Sequence, residues 1–388
     1  MGKLRIYFLS VSSLVVLFVL AGILLGNVLA REGNVYVYLR LFNDAMHLIE
    51  DNYVEDVERD SLLRGAYRGL FEVLDPQSEY LSPREYLEVI DSSPRPRGDL
   101  GFGLSRIKGH LMLITVRPGS PADQAEIRKG AQILRIGNLA TRTMSLAGAE
   151  NKLRGEPGSE IEITLVRHPG GGSEEILLTR VPAPPPIRFE DLSKETGYLR
   201  LSDFPADTAT RVEGYLRRFL ESGGTRLVLD LRDNGSRTLR PVLDTALLFL
   251  EPGPVVLVEE RGEKRTILVE QVRKPFFQGP MIVLVNGGTA SAGELLAASL
   301  QGSERSLLLG QKTFGLGTRT ELFPLPNGAA VRLSTGKLVS PDGTIWHGVG
   351  LVPDVSVDLD LNREELLEKA EELLRAQEDS LEEGKKAA

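Results

Sequence analysis

The chain has 388 residues, and its 46 Lys and Arg against 54 Asp and Glu give a formal net charge of −8. That length allows two or three domains with real cores, and a mildly acidic chain offers no sequence-wide electrostatic case for binding nucleic acid. Cysteine is absent and the four histidines, His47, His110, His168 and His347, are too far apart for a local metal motif. Disulfides, thiol catalysis, thiolate zinc sites and iron–sulfur clusters are thereby excluded, and neither a metal nor another cofactor is expected.

Lys3 and Arg5 precede an uncharged run from Ile6 to Ala30, which ends at Arg31 and Glu32. As a helix, the run would span roughly 37 Å, enough to cross a bilayer core with some tilt. Val28 and Ala30 also fit a small-residue cleavage site, so a signal peptide is the rival. The length favours an uncleaved anchor through residues 6–30. Basic residues ahead of it predict a single-pass protein of the inner (cytoplasmic) membrane, its bulk periplasmic or extracytoplasmic.

From Val35 to Ile90 the periodicity is helical, carried by Tyr38, Leu41, Phe42, Met46 and Ile49 and then by Leu62, Leu63, Ala66 and Leu70. Asp60 and Ser61 are expected caps of the second helix, and Leu74-Asp75-Pro76 breaks the pattern. Such helices need a partner domain or a second copy to cover them. Ser92 to Gly98 reads as a linker, followed by a compact unit with strands near Leu111–Val116, Ile133–Ile136 and Ile161–Arg167. A helix is expected from Ser145 to Leu153, and Pro182 to Pro186 forms a second, stiff linker. From Ile187 to Asp360 strands alternate with helices, with Arg226–Leu231 and Met281–Val285 as buried strands. The segment from Asn362 onward reads as a solvated amphipathic helix fraying at Gly384. The predicted divisions are 1–33, 34–93, 94–182, 183–360 and 361–388.

Two loops could carry chemistry. Asn286 to Glu294 follows a buried strand and opens a helix, which is where a serine such as Ser291 is exposed beside free helix N–H groups. Ser291 and Glu294 also make a capping box, which needs no chemistry and is the favoured reading on spacing alone. Leu100-Gly101-Phe102-Gly103-Leu104 is a glycine loop ahead of a strand, able to present N–H groups to a carboxylate. Leu146, Ala149 and Leu153 would wall a groove beside it, or serve equally as core.

From Val35 to Asp354 the chain resembles the C-terminal processing peptidases (tail-specific proteases), serine enzymes with an inserted PDZ domain. The matching stretches are Glu50-Asp51-Asn52-Tyr53-Val54, Leu74 to Leu81, Gly101-Phe102-Gly103, Pro118 to Ala122, Leu229 to Arg232, Gly288 to Ala292 and Lys312 to Gly315. The resemblance implies an α/β catalytic-core-like domain plus a PDZ domain (β-rich α+β), preceded by the membrane helix and a helical segment. It also implies the nucleophile at Ser291, an oxyanion N–H at Ala292 and a supporting acid at Glu294. Gly101, Phe102, Gly103 and Leu104 match the loop that receives a C-terminal carboxylate, with Leu146 and Ala149 on the groove helix. The family's general-base lysine falls at Leu316 and its glutamine at Thr320, while its Asn-Pro-Gly-Gly loop is here Asn234-Gly235-Ser236-Arg237.

Leucine cannot take a serine proton. Lys312 lies four residues upstream, roughly 13 Å in an extended segment, and His347 reads as an ordinary half-buried histidine. The expectation is a pseudoenzyme with weak or no proteolysis, binding protein or peptide C-termini through its PDZ domain. It would assemble as a homo-oligomer or with an active relative. The alternative is an active serine endopeptidase with nucleophile Ser291 and an unconventional base. A third reading is a purely structural protein with a closed groove.

Overall fold

The computed structural model describes residues 14, 16–19, 35–91, 98–262, 264–357 and 362–387. The expected anchor, 6–30, falls almost wholly outside them, and among the described residues no helix is long and apolar enough to cross a membrane. The chain divides into two compact units, Met1–Tyr67 and Arg68–Ala388.

In the first unit, α1 (35–52) exposes Val35, Tyr36, Tyr38, Leu41 and Phe42. Glu50 accepts two bonds from Arg59, at 2.6 and 2.7 Å. Residues 53–58 interrupt the helical pattern, and α2 (Arg59–Phe71) begins at Arg59. Asp60 and Ser61 therefore sit inside its first turn and are not its caps.

The second unit begins at Arg68, in the last turn of α2, and continues with β1 (Glu79–Leu81) and α3 (Pro83–Ile90), the latter started by a capping box between Ser82 and Glu85. The PDZ-like sheet follows as β2 (Gly98–Asp99), β3 (Phe102–Ile107) and β4 (His110–Val116). After α4 (Pro121–Gln124) come β5 (Gln132–Ile136) and β6 (Leu139–Ala140), then α5 (Leu146–Leu153). The sheet is completed by β7 (Glu160–Val166) and β8 (Ser173–Thr179), with β9 (Val181–Pro182) pairing back to β2. Strand order is β3-β4-β5-β7-β8, which leaves β3 at an edge facing α5. Ser145 caps α5 by accepting the Gly148 N–H at 2.9 Å.

The core begins with β10 (Ile187–Asp191), β11 (Thr196–Leu201), α6 (Thr208–Glu221), β12 (Arg226–Asp230) and α7 (Leu239–Ala246). It continues through β13 (Gly253–Glu260), β14 (Arg265–Gln271), β15 (Met281–Val285), α8 (Ala292–Gly302) and β16 (Leu307–Gly310). The last elements are β17 (Thr318–Pro324), β18 (Ala330–Val339), β19 (Val355–Ser356) and α9 (Arg363–Ala387). One sheet, β10-β11-β12-β15-β16-β19, is parallel from β11 onward, with α6, α7 and α8 packed on one face.

Two expectations change here. The stretch read as alternating strands and helices contains a separate antiparallel sheet, β1-β18-β13-β14 with β17 on β18. The segment after Asn362 is not a solvated helix: Leu366, Ala370 and Leu374 of α9 are buried against Tyr198, Val228, Ile282 and Leu309 on the other face of the parallel sheet. Four-residue spacing of those side chains makes the apolar stripe that the sheet needs as cover. The helix passes through Gly384 without a break.

Candidate active site

The candidate site lies where β12, β15 and β16 end, the rim at which an open parallel sheet presents its loops. The turn after β15 holds Ser291 at the N-terminus of α8 in a left-handed conformation, φ 52° and ψ −110°. A non-glycine residue keeps such a conformation only when its surroundings fix it. They do so here: the Ala290 N–H donates to Asn234 O at 2.8 Å, Thr289 Oγ1 to Leu231 O at 2.9 Å, and the Ser291 N–H to Glu294 Oε2 at 3.1 Å. Ser291 is half-buried. Among the described residues, no titratable side chain hydrogen-bonds its hydroxyl.

Glu294 is 0% exposed. Its Oε1 accepts from Thr313 Oγ1 at 2.5 Å and the Gly315 N–H at 2.6 Å, while Oε2 also accepts the Leu316 N–H at 2.7 Å. Burial pushes its carboxyl above the usual range despite those donors. Glu294 thus completes the predicted cap and also fastens the loop after β16 to the serine turn.

Leu316 is 7% exposed and packs with Ile114, Ala290 and Phe314 in a small apolar cluster of its own. Thr320 lies at the start of β17, paired with Ser334. Lys312 is exposed. His347 faces Asp75 and Lys337, burial lowers its pKa, and its Nδ1 has no partner among the described residues. The expected oxyanion donor needs a correction: the Ala292 N–H is not free, since it donates to Ser236 O at 2.9 Å. The residues 234–237 loop therefore fills that position from within. Arg237 in turn pairs with Glu150 of α5 at 3.1 Å.

In the PDZ-like unit, the Gly101 N–H donates to Asp99 Oδ1 at 2.8 Å and the Gly103 N–H to Thr115 Oγ1 at 2.9 Å. Asp99 also pairs with Arg117 at 2.5 Å. Two of the loop's donors are thus satisfied internally. Leu104, Leu146, Ala149 and Leu153 belong to one buried cluster with Leu113, Ile133 and Ile163, so they serve as core whatever else they do. Phe102 packs on that cluster from the edge.

Several residues that shape the site were not found from sequence. Glu79 Oε2 accepts the Leu146 N–H at 2.7 Å while Oε1 holds Arg332 at 2.5 Å, and Glu85 Oε1 accepts the Ser145 N–H at 2.9 Å. Gln77 receives Thr318 Oγ1 at 2.9 Å and reaches Leu316 O at 3.4 Å. Asp230, fully buried, takes Tyr198 OH at 2.5 Å, Arg200 at 2.8 Å and Arg232 at 2.7 Å. Burial opposes its charge, but Arg232 and Arg200 outweigh that and hold its carboxyl below the usual range. Among the described residues, no group of three or more His, Asp or Glu could hold a metal ion.

Comparison with known proteins places this geometry. Residues 195–357 match the model of peptidase family S41, and residues 114–167 match a PDZ domain. A carboxyl-terminal-processing protease from Picosynechococcus sp. is 32% identical over 300 residues, covering 74% of this chain and 72% of that protein. The chain belongs to the carboxyl-terminal processing proteases. The carboxy-terminal processing protease CtpA of Bacillus subtilis is 27% identical over 321 residues, 82% of this chain and 68% of that one. A solved photosystem II D1 C-terminal processing protease superposes with a TM-score of 0.66 at 26% identity, covering 84% of this chain and 95% of that chain. The S41 core and the PDZ domain expected from the motifs are both present. Within the matched S41 region, Ser291 and Glu294 form one hydrogen-bonded turn, Leu316 lies beside it, and the 234–237 loop bonds to it through Ser236 O.

Proposed function

We propose that this family member is membrane-anchored and extracytoplasmic, cleaves proteins weakly or not at all, and binds peptide C-termini through its PDZ domain. The observation that supports the reading is Leu316, an aliphatic side chain at the position that matches the family lysine, packed with Ile114 and with Ala290, the residue before Ser291. A serine with no base in reach is a poor nucleophile. The Ala292 N–H bonded to Ser236 O supports the same conclusion, because an oxyanion would have to displace that carbonyl. Peptide binding is supported by the free edge of β3 beside α5, where an extended ligand can add as a strand. Its terminal carboxylate competes with Thr115 for the Gly103 N–H. The uncharged run at residues 6–30 supports the anchor, and the exposed apolar side chains of α1 support assembly with another copy or an active relative.

The second reading, an active endopeptidase, is favoured by the strained Ser291 and its intact Glu294 support. Turnover of casein by the full chain, beside Ser291→Ala, separates the two. Cleavage that disappears in Ser291→Ala overturns the first reading. No cleavage, together with retention of carboxyl-terminated but not amidated peptides from a C-terminal peptide array, supports it.

A further inference from the structure

We infer that Leu316 is the keystone of a permanent interface between the PDZ domain and the S41 core: the substitution that removes the base supplies the contact that fixes the two domains together. The apolar centre of this interface is Leu316 with Ala290 and Phe314 on the core side and Ile114 of β4 on the PDZ side. The next residue of β4, Thr115, rests its methyl on Gly288, where a β-carbon would collide with it. Around this centre runs a polar rim. Lys129 Nζ donates to Gly287 O at 3.3 Å, and Arg237 pairs with Glu150 of α5 at 3.1 Å. Glu79 joins the N-terminus of α5 to Arg332 of β18 through its two oxygens.

Domain interfaces within a chain are ordinarily polar and permit relative motion. An apolar contact ringed by polar and ionic pairs has instead the anatomy of a stable interface, in which the central residues supply most of the affinity. A lysine at 316 would have to bury its charge, or give up its proton, among Ile114, Ala290 and Phe314, and that cost opposes closure. Leucine at the same position favours it. The inference does not depend on whether the groove takes peptide.

The test is calorimetric unfolding of the full chain, with hydrogen exchange over residues 98–182 to assign the PDZ transition. The wild type and Leu316→Met unfold in one transition. Leu316→Lys and the milder Leu316→Ala each release a PDZ transition about 5 °C or more below the wild-type temperature. Ile114→Asp does the same. The double variant Ile114→Asp, Leu316→Lys regains more than half of the shift, because the two new charges meet across the same contact. Two transitions in the wild type overturn the inference. So does a single unshifted transition in Leu316→Ala, or simple addition of the single shifts in the double variant. Should Leu316→Lys fail to fold, Leu316→Ala and Ile114→Asp decide the matter.

Discussion

On the proposed reading of weak or absent proteolysis, replacing Leu316 by lysine should not by itself give full protease activity. A general base contributes about 10²–10⁴ in rate, and the apolar neighbours Ile114 and Ala290 favour the neutral amine that a base must be. On the same reading the oxyanion donor is a separate obstacle. The Ala292 N–H is bonded to Ser236 O, and losing one such donor costs about 10²–10³ in kcat. Restoring the loop by Gly235→Pro, Ser236→Gly and Arg237→Gly removes both the inserted carbonyl's side-chain support and the Arg237–Glu150 pair. The combined variant should therefore cleave about 10²–10³ times faster than Leu316→Lys alone. Initial rates on casein measure this, with Ser291→Ala in each background as the blank. Equal rates in Leu316→Lys and the combined variant would show that the Ser236 carbonyl does not obstruct the site. Activity in the loop variant without the lysine would show that another group already serves as base.

Three further outcomes follow from the buried charges and the packing. Glu294→Gln keeps one acceptor oxygen for four donors, so two of Thr313, Gly315, Leu316 and Ser291 lose a partner; about 2–4 kcal/mol of stability should go, read from the urea midpoint. Burial opposes the charge of Glu85, but the Ser82 hydroxyl, the Ser145 N–H and Arg68 together hold its carboxyl below the usual range. Its contribution is then full at neutral pH and is lost as pH falls through that lowered value. Urea unfolding between about pH 6 and pH 3 should show a steeper acid loss in the wild type than in Glu85→Gln. Asp230→Asn leaves Arg200 and Arg232 without their carboxylate and should cost about 3–5 kcal/mol in the same assay.

What was legible in the sequence is what is local. The Ser291 turn could be read because strand, glycines, serine and helix follow one another within a dozen residues. The helix from Leu146 could be read because Leu146, Ala149 and Leu153 share a face and Ser145 precedes them. The second sheet was hidden because its pairings are remote: β1 meets β18 with Glu79 opposite Arg332. The glutamates holding α5 were hidden for the same reason, since Glu79 and Glu85 belong to the segment before the PDZ domain and their partners lie within it. The C-terminal helix was misread because its charges outnumber its leucines, although Leu366, Ala370 and Leu374 alone suffice to cover the sheet. Most telling is the Ala292 N–H. Its identity as a donor is a matter of sequence, but its occupation by Ser236 O depends on how a loop some 55 residues earlier returns to it.

The conformation of Ser291 has a physical basis in its neighbours. Its left-handed backbone is held by the Ala290–Asn234 bond and by Glu294, and Glu294 in the same position fastens Gly315 and Leu316. The serine turn, the 234–237 loop and the 313–316 loop are thus one hydrogen-bonded assembly, and each part keeps the others in place. Within such an assembly a change of side chain at 316 leaves the backbone where it is, because the bonds to Glu294 are made by main-chain N–H groups. The side chain at 316 can therefore be apolar without collapse of the turn, and Leu316, buried, packs on Ile114. One side chain, on a backbone held by Glu294, thus sets both what packs on Ala290 of the serine turn and what meets Ile114 of the PDZ domain.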